Sequence, residues 1–179
     1  MGFKEKFLHI LDVIASALEG LTEITGKLVS WLVLLLVILV SYDVGMRYLL
    51  QSGSIAIQEL EWHLFSLIFL LGAAYTLKHD DHVRLDLIYQ SRFMNDYRRA
   101  WINFLGSILF LIPFSILVIV SSWQFISLAF IHGEGSPDPG GLPNRWVIKS
   151  AIPVCFLLLT LFGFSTLIRN LQVILKKDQ

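Results

Sequence analysis

Charge is the scarcest commodity in this chain: Asp, Glu, Lys and Arg make up 16% of the 179 residues, against 55% hydrophobic ones. The scarcity is uneven, since Leu28–Tyr42, Trp62–Leu77 and Ala100–Ile131 carry no charge at all. Acidic and basic residues balance at 14 each, so there is no net field to recruit nucleic acid, and no nucleic-acid partner is expected. The single cysteine, Cys155, can form no intrachain disulfide and reads as a small buried hydrophobe. No internal repeat or low-complexity segment is evident. The amino-terminal segment lacks an apolar core with a small-residue cleavage site, so no signal peptide is read. A nucleophile beside a base is missing, as is a phosphate loop of the GxxxxGK type; no enzyme activity and no cofactor are expected. What remains is long apolar runs and a mean hydropathy of +0.68. A soluble domain of this size does not concentrate its apolar content in that way. The sequence is that of an all-α integral membrane protein.

Four spans are predicted, at about 28–48, 60–78, 100–125 and 147–168. Leu28–Tyr42 opens the first, which continues to about Tyr48 and carries Asp43 and Arg47 on one face near its far end. Ser52, Gly53 and Ser54 mark a short turn. The second span follows the acidic pair Glu59 and Glu61 and begins at Trp62; sixteen helical residues cover about 24 Å, enough once the flanking residues snorkel. Gly72, Ala73 and Ala74, with Thr76, would let another helix approach closely. Ala100–Ile131 would be about 48 Å as helix, too long for one perpendicular crossing. Trp101 and Trp123, about 33 Å apart along such a helix, would mark its two interfacial belts, with Gln124–Ile131 projecting beyond the membrane or reflecting tilt. Pro113 is expected to kink it. Trp146 anchors the fourth span, which carries Pro153 in its first turns.

Between the spans lie candidate contact regions. Residues 1–27 read as an amphipathic interfacial helix, with Phe3, Phe7, Ile10, Leu11, Ile14, Leu18 and Leu21 on one side and Glu5, His9, Asp12, Ser16, Glu19 and Glu23 on the other. An acidic face is wrong for anionic lipid, so apolar burial against phospholipid or a partner must hold it. Lys78–Arg99 suggests short interfacial pieces. Together with the first helix it would form a collar, with Glu19 and Glu23 near Arg92, Arg98 or Arg99. His79 and His82 could supply two metal ligands, but no third is placed, and a solvated turn is the preferred reading. Gly133–Arg145, rich in Gly and Pro and bearing Glu134, Asp138 and Arg145, reads as an ordered loop. Arg47 is expected to pair with Glu61, or failing that Glu59, across the outer ends of spans one and two; Asp43 is the local rival, and a solvated Arg47 that reaches water is the third reading.

Lys and Arg cluster in the amino-terminal segment (Lys4, Lys6, Lys27), the loop after span two (Lys78, Arg84, Arg92, Arg98, Arg99) and the tail at 169–179 (Arg169, Lys176, Lys177). Arg47, Arg145 and Lys149 stand alone on the opposite side. That asymmetry predicts both termini in the cytoplasm. Of the five histidines only His63 lies within a span, which disfavours a bundle-core haem. The middle of every span is apolar, where a self-sufficient transporter carries polar groups or broken helices. The chain reads as a supporting subunit.

Its motifs bear out a resemblance. The E-x-E-W-x(8)-L-G-A-A-Y stretch at Glu59–Tyr75, the H-V-R-L-D at His82–Asp86, Arg47–Tyr48 and the L-P-x-R-W-x-I-K…P at Leu142–Pro153 resemble the small membrane subunit of TRAP (tripartite ATP-independent periplasmic) transporters. The resemblance covers nearly the whole chain after about residue 25. It implies a sodium-driven uptake system for an organic anion, a carboxylate or a sulfonate, in a bacterial inner membrane. It also implies two partners: a periplasmic binding protein, and a large many-span subunit holding the substrate and sodium sites, expected as a separate polypeptide. The small subunit would widen the static scaffold. The candidate structural or partner-interface residues are Asp43, Arg47, Glu59, Glu61, Trp62, Gly72, His82, Asp86, Glu134, Asp138, Arg145 and Trp146. Two alternatives are a haem- or quinone-binding anchor of a redox complex, and a small exporter acting alone as a dimer.

Overall fold

The computed structural model describes residues 3–79 and 94–177. Four of its helices are long and apolar enough to cross a membrane. The first, α1 (Phe3–Leu49), is a single rod of 47 residues, about 70 Å long. The amphipathic segment therefore runs without a break into the first span. Gly20 and Gly26 do not interrupt it, because isolated glycines weaken a helix by only about 1 kcal/mol each. A turn at 50–54, with Gln51 in the left-handed region at φ 51°, leads to α2 (Ile55–Lys78). Helix two thus starts several residues earlier than the charge pattern suggests, with the pair Glu59 and Glu61 inside it.

The third span is compound: α3 (Asp96–Gly106), a π-helical turn at Ser107–Leu111, then α4 (Ile112–Ile131). The expected kink at Pro113 takes the form of this widened turn. Proline offers no N–H to the carbonyl of Leu109 and its ring crowds that oxygen; a turn with an extra residue relieves both. The Ile112 N–H accordingly bonds back to the Ser107 carbonyl, five residues earlier. Helix α4 continues to Ile131, as the length of the apolar run predicts. The fourth span opens with a short helix, α5 (Trp146–Lys149), and then α6 (Ala151–Lys177). Pro153 accounts for the break at Ser150, since it leaves the Lys149 carbonyl without its helical donor. Residues 169–177, read as a tail, are helical.

Helix α6 is the axis of the molecule. It packs against α1, α2, α3 and α4, whereas α1 and α2 pair with each other and α4 packs mainly on α6. A third of the α6 span (33%) is buried, against 11% of the α1 and α2 spans. The seams are lined by small side chains: Ala15, Thr22, Ala74, Ala129, Ser115 and Ser165 are all at or below 2% exposure, and none is larger than a threonine. Small residues let membrane helices approach without a hydrophobic driving force between them. Gly26 is the tightest case, for a β-carbon there would lie 2.0 Å from the Tyr75 ring. The singled-out Gly72 sits over Val29 in the same seam with room for a methyl, at 3.7 Å. Four hydroxyls within the spans return to their own helix: Ser41 to the Val37 carbonyl, Ser66 to Trp62, Thr76 to Gly72 and Thr160 to Phe156. They are satisfied without a partner and do not outline a polar path.

Candidate partner interfaces at the two ends of the spans

The end at which α2 begins is organised by Glu59. Its Oε2 accepts the Leu142 amide at 2.6 Å, and its Oε1 accepts from the Ser136 hydroxyl and from Arg145 Nη2 at 3.3 Å. The loop after α4 is thereby folded down onto α2. Local chemistry prepares that loop. Gly133, at φ 57°, ends α4 in a Schellman pair of bonds, Glu134 N–H to Ala129 and Gly133 N–H to Phe130. The two limbs then bond each other, Arg145 N–H to Glu134 and Ser136 N–H to Leu142. Gly141 permits the close approach; a β-carbon there would fall 2.4 Å from Ser136 and 2.7 Å from Glu59 Oε2.

Two of the loop's three charged residues are used internally. Glu134 pairs with Lys149, whose ammonium also lies 3.8 Å from the centre of the Phe125 ring, and Arg145 pairs with Glu59. Asp138 instead lines a cleft of about 470 Å³ shared with Trp62, His63, Arg145 and Lys149. Trp146 is half-buried, edge-on to Phe130 at 5.3 Å, while Trp62 is 76% exposed.

Arg47 does not bridge to Glu61 or Glu59. Its Nη2 donates to Asp43 Oδ2, one turn back on α1, so the local rival wins. The reason is geometric. Glu59 and Glu61 lie two residues apart on a helix, roughly 200° around it, and so point in nearly opposite directions. Glu59 turns to the loop, whereas Glu61 stays half-buried beside α1. Asp43 needs no cross-helix alignment to reach Arg47.

The other end of the spans is held by Arg169. Its guanidinium meets Glu19 through Nε at 2.9 Å and Nη2 at 3.1 Å, Ser16 at 3.0 Å, and Asp12 through Nη1. The buried Ser165 hydroxyl lies 2.9 Å from Glu19 and 3.2 Å from the Ala15 carbonyl. Beside this, Glu23 meets Lys78 at 2.6 Å and His79 at 3.1 Å. The expected collar thus uses different partners: Glu19 takes Arg169, and Glu23 takes Lys78 and His79, in place of Arg98 or Arg99. Arg92, His82 and Asp86 lie outside the described residues.

The amphipathic half of α1 consequently turns its polar face inward onto α6. Ile10, Val13, Ile14, Leu21, Ile24 and Leu28 point outward, each more than 40% exposed. Among the described residues no group of three or more His, Cys, Asp and Glu is arranged to hold a metal ion. Sequence reasoning missed Arg169, Ser165, Gly26 and Gly141. The first was legible in principle, since Asp12, Ser16 and Glu19 make a stripe at helical spacing that asks for a cation.

Four helices able to cross a membrane, with ion pairs gathered at the two ends and apolar sides turned outward, define a multi-pass membrane subunit. The family model of the DctQ component of tripartite ATP-independent periplasmic transporters matches residues 36–173, and the chain belongs to that family. It is a small permease subunit of a TRAP transporter, a multi-pass protein of the inner membrane, in a family of transporter components rather than of enzymes. Family membership implies partnership with a large membrane subunit and a binding protein. A comparison with curated proteins returns no match.

Proposed function

We propose that the chain is the static flank of a sodium-driven uptake system for an organic anion, a carboxylate or a sulfonate. It would brace the large subunit, which carries the substrate, and present the loop at 133–145 to the periplasmic binding protein. Both termini lie in the cytoplasm in this reading, on the side where Lys and Arg cluster. The observation that carries it is the combination of broad lipid-level apolar exposure with the absence of charge from the middle of the spans. Trp31, Phe65, Phe69, Phe110, Val120 and Trp123 are each more than 60% exposed, on helices from both flanks of α6. Such a molecule has surface for a membrane partner and no groups with which to coordinate a solute on its way through.

Asp138 supports the docking role of the loop, because its carboxylate stands exposed beside an open cleft while its charged neighbours hold the loop's shape. The experiment is reconstitution of uptake from the large subunit and binding protein with and without this chain. Uptake should fall to background when the chain is left out. Unchanged uptake without it would overturn the proposal.

A further inference from the structure

The groove between the outer halves of α1 and α2 holds more negative charge than the molecule neutralises. Asp43 is 2% exposed; its Oδ2 takes Arg47, and its Oδ1 has no hydrogen-bond partner. On the facing helix Glu61 Oε1 is likewise enclosed and unpartnered. Asp43, Arg47 and Glu61 together make two carboxylates and one guanidinium. A buried carboxylate oxygen without a donor is costly, and near hydrocarbon water does not supply one freely.

The cluster has an opening. A groove of about 420 Å³ runs beside it, lined by Leu36, Val40, Glu61, Trp62, Phe65 and Ser66. These residues fall in pairs four apart, Leu36 with Val40 on α1 and Glu61 with Phe65 on α2. Such pairs form parallel ridges with a furrow between them, the shape that receives the side chains of another helix. Its walls are apolar and its one ionisable wall residue is Glu61.

We infer that this groove receives a transmembrane helix of the large subunit, whose Lys or Arg side chain meets Glu61 near the outer membrane face. The inference rests on the large subunit being this chain's partner. It adds the place and the chemistry of contact: an apolar helix face with one cation. Charge complementarity selects that occupant, since the groove lacks one positive charge. A second copy of this chain brings Arg47 already engaged with Asp43.

The test uses the complex purified through a tag on this chain. Glu61→Lys should lower recovery of the large subunit at least tenfold and Glu61→Gln several-fold, with recovery of the tagged chain unchanged. In the otherwise native complex, photo-crosslinking residues at Val40 and Phe65 should each give an adduct with the large subunit. Full recovery with Glu61→Lys would overturn the inference, as would adducts at both positions with lipid alone or with a second copy of this chain. A wild-type chain that never co-purifies with the large subunit would instead overturn the partnership itself.

Discussion

Glu59 accepts hydrogen bonds from donors 77, 83 and 86 positions away, at Ser136, Leu142 and Arg145. No local spacing rule announces such a contact, which is why its carboxylate was readable as a candidate partner of Arg47 and not as a loop clamp. The clamp makes a direct prediction. Glu59→Gln keeps the shape but loses the negative charge that strengthens these hydrogen bonds. Amide exchange at Leu142 should accelerate at least tenfold while exchange within α4 stays as it is. An unchanged Leu142 rate would show that the loop holds its own fold. Gly26 carries the second residue-scale prediction. With Tyr75 where a β-carbon would go, Gly26→Leu should destabilise the α1–α2 pair by about 1–3 kcal/mol, as overpacking does. Thermal unfolding of the purified protein reads this, and adding Tyr75→Ala should recover part of the loss.

At the scale of elements, what was legible is what a one-dimensional pattern can hold. The four crossings follow from uncharged runs, the overlong third helix from its tryptophans, and the Asp43–Arg47 option from a spacing of four. What was not legible is rotation. The sequence shows that α1 begins amphipathic, but not that its polar side would face α6. Hydrophobic burial puts the apolar side inward in water; beside lipid or a partner the order reverses, and the cation that makes this affordable, Arg169, lies 150 positions from Glu19. Arg169→Ala should therefore release the first half of α1. Exchange should rise several-fold over residues 8–23 and remain unchanged over 28–48. If both halves loosen together, α1 behaves as one cooperative rod and the clamp is not its local restraint.

At the scale of the whole molecule, the layout is an open layer around α6, not a closed bundle around a cavity. Each outer helix leaves a long apolar side unpaired within the chain, which suits a subunit completed by lipid and by a larger partner. The basic residues at the α1 and α6 ends give the orientation test. A fluorescent protein fused after Gln179 should fold and fluoresce inside the cell. Alkaline phosphatase inserted at Gly140 should be active outside it; the reverse pattern would invert the topology.

The central claim is that this chain supports transport without conducting it, and sodium-dependent uptake into proteoliposomes measures that most directly. Vesicles holding this chain alone should show no uptake above empty vesicles, with or without the binding protein. Vesicles holding this chain together with the large subunit, supplied with the binding protein and an inward sodium gradient, should accumulate the organic anion. Gradient-driven accumulation by this chain alone would contradict the account.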